Sequence, residues 1–385
     1  PNVPGQTPAF AVNGISNCNS SILDQRQWEN TYFGIASFQK HIGNADLQLS
    51  GFARYSNLSY KPDALGDLLY NGIAPYTNRT SLATGVQGDG SWKVASDHTL
   101  RGGFLVQRER VTSLTNANTL PLVADPDNPG GDFIPSGQPV GFTEGSDLVG
   151  WTYSVYLQDA WKVIPTVTVN FGARFDAVNG ATQESQISPR INVVWEPDPR
   201  ATLRAGYARY FTPPPLAQVN ANALAVRAGT TAQTESMQNS PVKAERADYF
   251  DVGLTVKPID GLTLGFAGYY KFAQNLLDEG QFGAPISLTS FNYANAQVKG
   301  FELFASYDEG PWSVFGNLAW SRTSATSINS AQFNFAPGEL TYIANNTIFT
   351  DHDQGWTGSA GAAYVFNSGS DWATRLSADM LFGSG

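Results

Sequence analysis

The chain has 385 residues, a formal charge of -10, a pI near 4.8, and charged residues at only 15%. That balance excludes a nucleic-acid partner, which needs a dense basic face, while the apolar and aromatic content excludes disorder. The single cysteine, Cys18, excludes a disulfide framework or a thiolate metal cluster within the chain.

No run of about 18 apolar residues occurs, so no membrane-spanning helix is expected. Membrane strands escape such a test because their hydrophobicity alternates. The chain opens in PNVPGQTPAF, without an initiator Met or signal segment, and stops at MLFGSG straight after a strand-like stretch. These ends suggest a piece of a longer protein.

In chain order, long strands come in pairs. Residues 31–40 pair with 46–56 across Gly43-Asn44, and 81–94 with 99–112 across Ser96-Asp97. Residues 151–162 and 166–176 flank Pro165, and 188–196 and 202–212 flank Pro197-Asp198-Pro199. Then come 247–257 with 262–273, 297–308 with 312–322 across Gly310-Pro311, and 354–366 with 372–382 near Gly369. The total is about fourteen strands.

The clearest strand sets Val167, Val169, Phe171, Ala173 and Phe175 against Thr166, Thr168, Asn170, Arg174 and Asp176, a strict period of two. Its partner sets Trp151, Tyr153, Val155, Leu157 and Trp161 on one side, with Asp159 as the exception. The other connections, 61–79, 113–148, 213–243, 274–296 and 323–352, are long and polar, and only the one near 179–187 is short. No helical period stands out. Short turns at one end and long loops at the other are the asymmetry of an outer-membrane barrel.

Three features favour a membrane over a soluble sandwich. The strands reach the roughly 9–11 residues a bilayer needs. Aromatics bracket the apolar faces, as Trp151 and Trp161 do on one strand and Trp312 and Trp320 on another. Charges avoid those faces: Arg54, Arg101, Arg174, Arg190, Arg204, Lys271, Glu302 and Arg375 all fall opposite, toward a lumen. The expected fold is all-β, an antiparallel transmembrane β-barrel.

Three segments carry a family likeness. SPRINVVWEPDPRATLRAGYARYFTPP opens on Ser188-Pro189-Arg190, and Ala244 to Asp278 holds Tyr269-Tyr270-Lys271 ahead of Asn275-Leu276-Leu277-Asp278. NYANAQVKGFELFASY carries Asn292, Asn295, Gly300 and Glu302. In this order they resemble the barrel of TonB-dependent receptors. The resemblance implies a 22-stranded barrel, of which about fourteen strands are seen here.

It further implies that residues 1–385 are a partial receptor β-barrel domain without a plug domain or TonB box. The parent protein would sit in the bacterial outer membrane and carry out energised uptake of a scarce nutrient such as a ferric siderophore. Its expected partners are outer-membrane lipid, the TonB complex acting through a missing N-terminal part, and a small-molecule or metal-chelate substrate. A monomer without cofactor is expected. The residues alone leave open a passive porin-type channel or a soluble carbohydrate-binding β-protein.

Enzyme chemistry finds no support. His41, His98 and His352 have no second His or Cys at ligand spacing, and no Ser–His cluster is apparent. Gly85, Gly88 and Gly90 lie in a strand with no helix following, so they suit barrel curvature rather than phosphate binding. Substrate-binding candidates are Tyr70, Tyr76 and Phe133 in the loops, and Arg174, Arg190, Arg204, Tyr269 and Glu302 toward the lumen. Phe282, Phe333 and Tyr342 are further loop aromatics. Asp125, Asp127, Asp132, Glu144 and Asp147 make loop 113–148 acidic, suited either to solubility or to drawing in a cationic or metal-complexed substrate.

Overall fold

The computed structural model describes residues 10–130, 132–219, 224–281, 288–351, 353–367, 369 and 371–384. Alternation along the chain becomes one antiparallel sheet. Its first strands are β1 (Arg26–Ile42), β2 (Ala45–Lys61), β3 (Ile73–Lys93) and β4 (His98–Thr119). A small separate hairpin follows, β5 (Leu122–Ala124) with β6 (Phe133–Pro135). The sheet resumes with β7 (Val140–Ile164), β8 (Val167–Asn179), β9 (Gln183–Asp198) and β10 (Ala201–Thr212). Next come β11 (Glu245–Val256), β12 (Leu262–Gln281), β13 (Leu288–Glu309) and β14 (Trp312–Ser330). A short β15 (Ile348–Phe349) pairs on β14, before β16 (Trp356–Phe366) and β17 (Thr374–Gly383). Two helices occupy loops, α1 (Gly66–Asn71) and α2 (Pro337–Asn345).

Every strand of the main path lies beside its chain neighbours, β5, β6 and β15 excepted. Among the described residues, β1 and β17 each have one neighbour, so the sheet is open along two edges.

Directly opposed residues share a face, and the register therefore carries one face across the sheet. Phe104, Val155, Phe175 and Ile187 form one rung, each 41–65% exposed. The adjacent rung on the other face is Gln87, Leu105, Ser154, Asp176 and Gln186. Following these rungs places all eight charges expected in the lumen on the polar side.

Eight tryptophans lie in strands, and all eight face outward by the same register. Trp92, Trp161, Trp195 and Trp312 stand near the short-turn end, and Trp28, Trp151, Trp320 and Trp356 toward the loop end. Ten residues separate Trp151 from Trp161. At about 3.3 Å per residue and a tilt of about 40°, that spans roughly 25 Å, the height of an outer-membrane apolar band. Asp159 is the outward exception, as expected. It is buried and held by His98 Nδ1 at 2.6 Å, under the Trp161 ring that stacks on the imidazole.

The strands are longer than the sequence suggests, up to 25 residues in β7. Residues 73–79, 113–119, 140–148, 274–281, 288–296 and 323–330, expected in loops, are strand. Polar pairs sustain these overhangs: Thr77 with Thr115 at 3.1 Å, and Asn116 accepting from Thr143 at 2.8 Å, with Thr80 and Thr112 at 2.6 Å just below. α1 and α2 correct the expectation of loops without helix. Gly85 and Gly88 act as seats for rings, since a Cβ would come within 2.4 Å of Phe52 and 2.5 Å of Phe104 respectively.

Packed cores sit at the loop end. One joins Leu224, Val242, Phe291, Tyr293, Phe333 and Ile343; another joins Val12, Cys18, Leu68, Leu69 and Leu120. Between the tryptophan belts, the outward apolar side chains stand exposed. At the loop end the fold buries its own apolar side chains in these clusters.

Candidate functional site

The candidate residues of the polar face fall in two regions, the wall between the belts and the mouth at the loop end. On the wall, Arg174 donates from Nε to Asp176 Oδ1 at 2.8 Å and from Nη2 to Ser154 Oγ at 2.8 Å. Ser154 in turn donates to Asp176 at 2.5 Å. Arg190 lies one strand on, its guanidinium 5.8 Å from the Tyr156 ring centre, while the Tyr156 hydroxyl donates to Asp89 at 2.9 Å.

Arg204 and Glu302 share a rung with Gly253 and Ala267 between them. Three strand spacings put them about 14 Å apart. Arg204 lies across Gly253, where a Cβ would come within 2.5 Å of Nε. On the neighbouring rung Tyr269 stacks on Tyr249 at 6.2 Å, and its hydroxyl donates to Ser321 at 3.1 Å. Gly300 permits this: a Cβ there would meet that hydroxyl at 2.5 Å. Arg174, Arg190, Arg204, Tyr269 and Glu302 thus line one continuous wall across β8 to β13. Its mixed charges, with neither Arg204 nor Glu302 ion-paired among the described residues, can hydrate and guide a polar solute.

The three loop candidates stand apart from this wall. Tyr70, in α1, packs against the Leu68–Leu120 core. Tyr76 is strand rather than loop, on the outward side of the β3 overhang, and 46% exposed. Phe133 tips the small β5–β6 hairpin and is 66% exposed. Phe333 is buried in core, and Tyr342 is exposed on α2. Phe282 and His352 lie outside the described residues.

Nor is the acidic stretch 113–148 a bare loop. Asp147 and Glu144 belong to β7. Arg110 grips Asp147 with bonds of 2.9 and 2.6 Å and holds its carboxyl below the usual range. Arg227 closes on Glu144, one of its contacts at 3.3 Å.

Sequence reasoning missed the segment that carries Arg227. The connection between β10 and β11 runs across the mouth as a strap. On one side Thr231 N–H donates to Leu120 O at 2.8 Å, its hydroxyl bonds Gly72 O, and Leu122 N–H donates to Gly229 O at 2.8 Å. On the other, Asn292 accepts from Lys243 N–H at 2.8 Å and Gln332 from Ser240 N–H at 2.9 Å. These partners are 49 to 159 residues apart in the chain, so no local pattern announces them.

Beside the strap, Asp67 is fully buried in α1, and burial pushes its carboxyl up despite bonds from Gln25 and Asn71. The neighbouring Tyr60 phenol is pushed up to about 12, by burial first and then by the Asp67 charge.

Comparison with known proteins gives a consistent picture. A family model described as TonB dependent receptor-like, beta-barrel, matches residues 4–383. Over 85 residues the chain is 33% identical to the TonB-dependent transporter Oar of Myxococcus xanthus, covering 20% of this chain and 8% of that protein. Among solved structures it is similar to the ferric yersiniabactin uptake receptor FyuA from Yersinia pestis, with a TM-score of 0.63 at 12% identity over 92% of this chain and 50% of that one. It is similar also to the copper transporter OprC, with a TM-score of 0.61 at 14% identity over 90% and 50%. The ferric citrate transporter FecA gives 0.59 at 15% over 93% and 49%. Such identities establish the fold. The chain spans about half the length of these structures.

Proposed function

The chain belongs to the TonB-dependent receptor β-barrel family, proteins of the outer membrane, and we propose that the whole protein is a receptor for energised uptake of a scarce nutrient such as a ferric siderophore. The observation that carries this reading is the charged inner wall of β8 to β13 opening at a loop-built mouth. Solute would contact the mouth first, where Phe133 is exposed, and then descend past Arg174, Arg190, Tyr269, Arg204 and Glu302. Energy would arrive from the TonB complex through a part of the protein outside these residues. The receptor would act as a monomer, its tryptophan belts set in outer-membrane lipid.

Cells carrying the complete gene, fed radiolabelled ferric siderophores, test this. Uptake should require the gene and stop when TonB is deleted or the inner membrane is uncoupled. Uptake that continues without TonB would instead make the protein a passive channel.

A further inference from the structure

A second site stands at the mouth, beside the strap. The upper parts of β12 and β13 meet α2 and β15 around a cavity of about 910 Å³. Its polar lining is Glu279, Tyr293, Asn334, Glu339 and Asp351, with Tyr342 at the side. Phe291 and Phe335, edge to face at 4.9 Å, form an apolar wall. Three exposed carboxylates line it, and among the described residues no Lys, Arg or His does.

Little of this polarity is used by the fold. Glu279 accepts one bond from Gln218 at 2.6 Å, and Glu339 one from Ala336 N–H at 2.8 Å. The Asp351 carboxylate has no hydrogen-bond partner among the described residues. Tyr293 is only 3% exposed, yet its hydroxyl has no partner among them either. Both the Nδ2 and the Oδ1 of Asn334 are buried and unpaired. An unpaired amide of this kind is uncommon in a folded protein and destabilises it, and with the unpartnered Tyr293 hydroxyl beside it points to a guest that completes both. Burial, then the charges of Asp278 and Asp351, push the Tyr293 phenol up, consistent with a negative potential in the cavity.

We propose that this cavity binds an organic cation, an ammonium or amidinium group carried on an apolar or aromatic body. The charged head sits among Asp351, Glu279 and Glu339, and the body lies against Tyr342 and Phe335, where rings attract cations through their faces. Asn334 and the Tyr293 hydroxyl take the remaining polar atoms. An anionic chelate would be repelled, and a neutral sugar would gain nothing from the three carboxylate charges. The site stands on its own geometry; uptake enters only as the reason to place it at the mouth.

The test is calorimetric titration of the whole receptor in detergent with benzamidine, benzamide and benzoate, matched in shape and differing in charge. Benzamidine should bind, weaken as salt rises, and exceed benzamide by about tenfold, as expected when a charge-assisted hydrogen bond is lost. D351N and E279Q should each reduce benzamidine affinity, and the pair should abolish it. D351N removes no hydrogen bond of the described fold, so its effect reports on the site. Benzamide or benzoate binding as well as benzamidine, unchanged binding in the double variant, or no benzamidine binding would each overturn the proposal. The titration needs no energised membrane. Its failure leaves TonB-driven uptake standing, and TonB-independent uptake leaves this site standing.

Discussion

Replacing Arg227 with Met tests whether one buried ion pair fastens the strap. Arg227 and Glu144 side chains are 6% and 16% exposed. Met keeps an apolar stem against Phe142, whose ring centre lies 5.7 Å from the guanidinium. Removing one partner of a buried pair costs about 3–5 kcal/mol, because the other charge stays behind unpaired. Glu144 keeps some access to water, which favours the low end, about 3 kcal/mol. At 1.4 kcal/mol per decade, the open population of the strap rises about 150-fold. Hydrogen exchange reads this directly at the Thr231 and Leu122 amides, both bonded across the strap contact, while Val155 in mid-sheet serves as the control. The double variant Arg227→Met with Glu144→Gln should recover most of the protection, since no lone charge remains. Exchange at Thr231 that matches wild type in the single variant refutes the pair as fastener. A double variant as open as the single would assign the loss to packing instead.

Further consequences follow from the faces and their seats. Val155→Arg, outward at mid-sheet, should cost about 2–4 kcal/mol in bilayer unfolding, whereas Gln107→Lys on the polar face should cost under about 0.5 kcal/mol; equal costs would mean the faces are misassigned. Gly172→Ala puts a Cβ 2.4 Å from the Leu157 carbonyl, a backbone clash worth about 1–3 kcal/mol. At Gly34 nothing lies within 4 Å, so Gly34→Ala should leave the unfolding midpoint unmoved. Tyr60 carries a pH dependence. Its phenol ionises near 10 when unfolded and at about 12 when folded, so the stability it lends the α1 corner is present below 10 and lost as pH rises to 12. An ultraviolet difference titration of wild type against Tyr60→Phe should show that late phase, and a transition near 10 would contradict the burial.

How far the fold could be read ahead depended on distance along the chain. Period-two alternation is local, so seven strand pairs, their turns and the facing of Arg174 or Glu302 were legible residue by residue. Tryptophan placement was legible for the same reason, since a belt is a position within a strand. The overhangs were misread because Thr77, Thr115 and Thr143 look like loop by composition. Their role is visible only when Thr77 meets Thr115 across the sheet. α2 was missed because only Ile343 of its nine residues is buried, leaving too narrow an apolar stripe to show a helical period.

Charge at the mouth shows the same limit in a form that bears on function. The sequence concentrates acid in 113–148, and two of its five carboxylates prove to be neutralised by partners, Arg110 three strand turns upstream in β4 and Arg227 in the strap. Glu279, Glu339 and Asp351 are scattered over more than seventy residues and attract no notice in one dimension. The β12–β13 pairing and the packing of α2 over Tyr293 bring them to one cavity that no Lys, Arg or His among the described residues lines. What a ligand meets is the charge left after pairing, and pairing is decided by register and by the strap. Attraction of a cation therefore belongs to the β12–β15 corner rather than to the acidic stretch, and substitutions at Asp125 or Asp127 should leave benzamidine binding unchanged where D351N weakens it.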